Sequence, residues 1–282
     1  MKLFKLLLIT LVLVAVSAQP NTAAAASKGK ILVVLSSGDS MTLADGSTIK
    51  TGFYLNELGV PAMEIQQAGY DLVLATPAGN KPVVDKRSIS KDYFQSDEAW
   101  LQRVQTFVQT LIEQQQVLSL EEVLKAGLDS YKGLFIPGGH APIIDLASND
   151  NLGEILYHFN RHGKPTAAIC HGPIALLAAQ INPQGFVQSV KDDKPRAAAG
   201  WVYEDYQMTI FSSAEEEVFE STLDGRKLTY YPANAMEVAG AAMEYAENWK
   251  PKVVVDRELV TGQNPFSDQL LAETFIELLQ TK

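Results

Sequence analysis

Residues 165–177 read Pro165-Thr166-Ala167-Ala168-Ile169-Cys170-His171-Gly172-Pro173-Ile174-Ala175-Leu176-Leu177, a buried strand running into a helix signal with a cysteine at the junction. This order predicts a nucleophile elbow, a tight turn that lifts one side chain above the end of a parallel sheet. A helix beginning just after the thiol would place its positive end and free amides around the sulfur and lower the thiol pKa. Gly172 permits close backbone approach, and Pro173 suits a first helical turn, where its missing N–H costs nothing. His171 places an imidazole beside the thiol, either to take its proton or simply to bond the backbone.

Working outward, the continuous apolar runs Ile31–Leu35, Asp71–Ala75 and Gly133–Ile136 predict further strands buried on both faces. Helical patterns lie between them at 53–68, stopped by Gly69, and at 97–115, 119–128 and 151–161. Strand and helix alternate, which predicts an α/β fold: a doubly wound, mostly parallel, flavodoxin-like sheet flanked by helices, with its site at the carboxyl ends of the strands. The polar stretch beginning at Val84 marks 84–130 as an insert or lid. Later, Met208–Phe211 and Val253–Val255 read as strands, and Met236–Asn248 and Ser267–Leu279 as helices. No linker or internal repeat divides residues 27–282, so one domain is expected.

Residues 1–26 are a separate object. Lys2 and Lys5 precede the apolar run Leu6–Val16, and small residues follow at 16–18 and 23–26, the pattern of a secretory signal peptide. The run falls short of the roughly 20 apolar residues that span a bilayer, so cleavage, export to a periplasm or the exterior, and no stable membrane insertion are expected. Losing Lys2 and Lys5 takes the formal net charge from −10 to −12, which argues against a nucleic-acid partner. Cys170 is the only cysteine, so no intramolecular disulfide can form, and the thiol is either an inert core group or one kept for its chemistry.

Three ordered motifs, AICHGP at 168–173, PGGHAPIIDL at 137–146 and the long stretch at 52–85 beginning GFYLNELG, resemble the ThiJ/PfpI family of the class I glutamine amidotransferase-like superfamily. Within it the chain is most similar to the branch of glyoxalase III enzymes and heat-shock chaperones, a branch that VVVDRELVTGQNPFSDQLLAE at 253–273 also fits. The resemblance implies a cofactor-free enzyme with Cys170 as nucleophile, His171 as its neighbour and Glu57 as an acidic proton shuttle. Without it, Glu57 reads as an exposed helix residue, as Glu64 does. The resemblance also implies an oxyanion hole from the turn Gly138-Gly139 and the amide of His171, with His140 and Gly172 lining the substrate position. The acid that orients His171 stays open among Glu204, Asp205, Glu215 and Glu216. His158 and His162, four residues apart, lack a third ligand and are read as no metal site, and no nucleotide motif is present.

The expected reaction converts small 2-oxoaldehydes such as methylglyoxal to 2-hydroxy acids, with deglycation as related chemistry. Amidase or peptidase hydrolysis by the same thiol is the enzymatic alternative, and a stress chaperone or redox sensor without turnover the non-enzymatic one. A small carbonyl compound is the expected partner, and the family's habit of pairing makes a homodimer an expectation.

Overall fold

The structure, a computed structural model, describes residues 26–282. The expected signal peptide therefore lies outside the described residues, apart from Ala26. In chain order the strands are β1 (Lys30–Val34), β2 (Ser40–Thr42), β3 (Thr48–Lys50), β4 (Asp71–Thr76), β5 (Leu118–Ser119), β6 (Tyr131–Ile136), β7 (Thr166–Ile169), β8 (Gln207–Met208), β9 (Ala242–Met243), β10 (Val253–Asp256) and β11 (Leu259–Gly262). The helices are α1 (Leu55–Gln67), α2 (Glu98–Gln114), α3 (Leu120–Ala126), α4 (Pro142–Asp145), α5 (Asp150–Arg161), α6 (Pro183–Lys191), α7 (Ser213–Glu220), α8 (Pro232–Ala239) and α9 (Asp268–Thr281).

Seven strands form one sheet in the order β10-β11-β7-β6-β1-β4-β5, parallel except for the β10–β11 hairpin at one edge. Side chains alternate across it. Ile31, Val33, Phe135, Ala167 and Ile169 enter the core beneath α1, α2 and α9, whereas Leu32, Val34, Leu134, Ile136 and Ala168 enter the core on the opposite face with α3 and α5. Both faces are covered, as a parallel sheet requires. After β1 the chain builds outward through β4 and β5, then returns to the other side of β1 for β6 and β7. This reversal of winding opens a crevice at the carboxyl ends of β1 and β6, beside the end of β7.

Several sequence expectations change. The 84–130 stretch is mostly scaffold: α2 packs on α1 and β5 extends the sheet, while two short 3-10 turns at Lys86–Ser88 and Lys91–Phe94 carry Arg87 and Tyr93 to the crevice. The helix expected over 236–248 begins at Pro232 and stops at Gly240, whose left-handed backbone ends it. The strand expected at 208–211 shrinks to Gln207–Met208, and β11 goes unforeseen. Among the described residues no helix is long and apolar enough to cross a membrane.

Candidate active site

Cys170 directly follows β7 with φ +58°, a left-handed backbone that a side chain adopts at a cost on the order of 1–3 kcal/mol. Hydrogen bonds hold it there from both sides: its N–H donates to the Gly262 carbonyl at 2.8 Å, and its carbonyl accepts from the Phe211 amide at 2.9 Å. Strands β7 and β11 and the segment after β8 together fix the turn. The helix expected just after the thiol is a 3-10 helix, Gly172–Ala178. The expected lowering of the thiol pKa is reversed as well: burial and the facing Glu57 carboxyl push the Cys170 thiol up.

Glu57 sits in the first turn of α1 and is fully buried, contrary to the exposed position its local sequence suggests. Its carboxyl faces the thiol, beside the amides of Gly138 and Gly139, and burial pushes its pKa up to about 8. At neutral pH it is therefore protonated. Asn56, next to it, donates to the Pro265 carbonyl at 2.7 Å and to Asp268 at 2.9 Å, which ties the start of α1 to the start of α9. Glu64 lies farther along α1, outside the site, as expected for it.

The turn after β6 closes over this pair. A side chain at Gly138 would collide with the Glu57 carboxyl, Cys170 and the Ile169 carbonyl, and Gly139 has φ +76° and presses on the Gly52 carbonyl. The Gly139 amide adjoins the thiol. Gly172 packs on the Ile136 carbonyl, so β6 and the elbow touch through backbone alone.

The open question of an acidic partner has a geometric answer. His171 Nδ1 lies 3.2 Å from Cys170 Sγ, and its Nε2 lies 2.5 Å from Glu216 Oε1. The other oxygen of Glu216 accepts from His140 Nε2 at 3.1 Å. Burial alone would raise the Glu216 carboxyl, but the two imidazoles outweigh it and hold it down at about 2. An ionised Glu216 only accepts, so both histidines present Nε2–H to it, and Nδ1 of a neutral His171 is left free to accept the thiol proton. Burial and His140 keep the His171 pKa below the usual imidazole value, which favours that neutral form.

Neighbouring Glu215 has a different task. It bonds Ser212, the Trp249 amide, Gln263 and Asn264, fixing the start of α7 and the Trp249 segment. Glu204 and Asp205 lie by Gly240. His140 is buried between His171 and Phe219, with ring centroids 4.0 and 4.1 Å away. The ligating atoms of His140, His171 and Glu216 lie within 4.8 Å of one another, a donor set that could take a divalent cation only by giving up these hydrogen bonds. His158 and His162 stack on each other at the end of α5, away from this cluster.

Above the thiol is a cavity of about 220 Å³ whose walls include Tyr54, Tyr93, Phe211, Phe219, Trp249 and Arg87. The cavity and triad together can hold a small electrophile against a thiol flanked by a proton acceptor, His171, and a proton donor, Glu57.

The sequence profile of the DJ-1/PfpI family matches residues 48–209. The chain belongs to the DJ-1/PfpI family. The match includes Glu57, the Gly138-Gly139 turn, Cys170 and His171, and it ends before Glu216. A curated DJ-1/PfpI relative, the glutathione-independent glyoxalase hsp3101 of Schizosaccharomyces pombe, is 30% identical over 263 residues, 91% of this chain and 98% of the relative. The protein/nucleic acid deglycase HchA of Staphylococcus aureus is 25% identical over 252 residues, 87% of this chain and 78% of the relative. The crystal structure of glyoxalase III from Candida albicans has the same fold, with a TM-score of 0.63 at 20% identity, over 90% of this chain and 98% of that one.

Proposed function

We propose that this DJ-1/PfpI protein is a cofactor-independent glyoxalase that converts 2-oxoaldehydes to 2-hydroxy acids. The observation that carries the reading is the Cys170 thiol set between His171 Nδ1 and the protonated Glu57 carboxyl. The names of the two curated relatives, a glyoxalase and a deglycase, support the same chemistry. Cys170 is only 2% exposed, at the base of a small cavity, which favours free small aldehydes over adducts on proteins.

The residues divide the reaction as follows. His171 takes the thiol proton, and sulfur adds to the aldehyde carbon. The developing oxyanion is stabilised by the Gly139 and His171 amides and receives the Glu57 proton, giving a hemithioacetal. The Glu57 carboxylate then removes hydrogen from the former aldehyde carbon while His171 protonates the ketone oxygen, forming an enediol. Glu57 returns its proton to the second carbon as His171 takes the hydroxyl proton of the first, leaving a thioester on Cys170. Water cleaves the thioester, sulfur regains the His171 proton, the new acid reprotonates Glu57, and lactate leaves when methylglyoxal is the substrate.

The test is lactate formation from methylglyoxal without glutathione, by wild type, Cys170→Ala and Glu57→Gln, each checked for folding. Turnover that disappears in both variants is expected. A folded wild type that makes no lactate would sink the reading and leave amidase, chaperone and redox roles in its place. Export is part of the proposal and rests on residues 1–26; an intact Met1 on protein recovered from the natural cell would contradict it.

A further inference from the structure

Methylglyoxal carries no charge, yet the cavity presents one. Among the described residues Arg87 is the only permanently charged side chain on the cavity wall, and it stands there in a chain of net charge −10. Its guanidinium lies over the Phe219 ring, 5.2 Å from the centroid. Two anchors fix it: Nε donates to the buried Asp85 at 3.2 Å, and Nη2 to the Lys50 carbonyl at 2.6 Å. Asp85 is itself held by the Thr51 hydroxyl and the Arg87 amide. Among the described residues Nη1 has no hydrogen-bond partner, so one edge of a preorganised guanidinium is available.

Arg87 also stands at a border. Together with Thr222 it lines both the thiol cavity and an adjoining groove of about 720 Å³, where Lys50, Lys86, Arg87 and Arg226 outnumber the acids Asp39 and Asp85. A substrate longer than methylglyoxal would put its aldehyde at Cys170, its stem between the aromatic walls and its far end at this cationic border.

We infer that the substrate of this site is a 2-oxoaldehyde bearing a carboxylate, which Arg87 binds at the junction of cavity and groove. The inference deepens the glyoxalase reading and, for turnover, rests on it. Arginine suits the role because its planar fork pairs with carboxylates and it stacks on aromatic faces without heavy desolvation.

The experiment compares kcat/KM for phenylglyoxal and 4-carboxyphenylglyoxal in wild type, Arg87→Lys and Arg87→Met, at low and high salt. Wild type is expected to favour the carboxylated substrate by about tenfold or more, the scale of one hydrogen bond to a charged group. The ratio should fall toward one in Arg87→Met, lie between in Arg87→Lys, and shrink with salt in wild type. A second arm needs no turnover: benzoate should slow alkylation of Cys170 by iodoacetamide more than benzyl alcohol does, and Arg87→Met should erase the difference. Benzoate protection without any turnover would reject the glyoxalase reading while keeping the anion site. Equal rate constants for the two glyoxals in wild type, or equal protection by benzoate and benzyl alcohol, would overturn the inference, and neither result depends on the variants folding.

Discussion

Glu216 gives one carboxylate to two histidines, and that sharing sets what each ring nitrogen can do. Exchanging it for glutamine keeps the shape but adds an N–H, so one of the two histidines must switch from donor to acceptor. If His171 switches, its Nδ1 carries hydrogen and cannot take the thiol proton. Glu216→Gln should therefore lower kcat/KM by about 10²-fold or more, the usual worth of a positioned base, with little loss of fold; steady-state kinetics alongside circular dichroism would check it. The pH profile follows from the same residues. Activity needs neutral His171, whose pKa is depressed, so the acid limb should lie below the ordinary imidazole range near 6.5. It also needs protonated Glu57, so an alkaline limb is expected near pH 8. A wild-type kcat/KM profile with no limb near pH 8 would mean that another group titrates. The thiol, its histidine and the glycine turn were legible because strand, turn and small residues are local signals. Glu57 needed a family resemblance, because its burial comes from α9 and the β6 turn packing over α1, which no local pattern records.

At the scale of elements, Glu216 lies on α7, a helix that the sequence patterns above do not foresee. Its start does have a local signature: Ser212 and Glu215 form a capping box, with the Ser212 hydroxyl accepting from the Glu215 amide at 3.2 Å and the Glu215 carboxylate accepting from the Ser212 amide at 3.0 Å. Reading Ser212-x-x-Glu215 as a helix start would have found α7, though not which of two adjacent buried glutamates meets His171. Ser212→Ala should cost about 1–2 kcal/mol in urea unfolding and reduce activity by more than that loss explains, since α7 carries Glu216. Unchanged activity in a destabilised variant would show that the cap does not steer the carboxylate. Strands β1, β4, β6 and β7 were legible as short, largely apolar runs, whereas β11 was hidden. Its four residues follow β10 after a turn through Arg257, at φ +58°, without the glycine or asparagine that normally flags a hairpin.

For the whole molecule, the buried acids make stability depend on pH in opposite directions. Glu216 has a folded pKa of about 2, below its unfolded value, so its contribution is complete above the unfolded carboxylate range and is lost as pH falls through the folded pKa. Glu57 does the reverse. Between its unfolded value, 4.5, and about 8 the folded protein holds a proton that the unfolded chain has released, so stability declines as pH rises through that window. Glu57→Gln removes the decline and should be more stable than wild type at pH 8 to 9, with the gap closing toward pH 5; thermal melts across pH would reveal parallel curves if Glu57 were not the cause. The Gly262–Cys170–Phe211 ladder has a consequence for biosynthesis. A ribosome must release β11 before the bond that locks the elbow can form, long after Cys170 itself has emerged. From the synthesis of Cys170 until that of Gly262, the nascent chain thus keeps its one thiol outside the constellation that activates it, and reactive chemistry is withheld until the sheet is assembled.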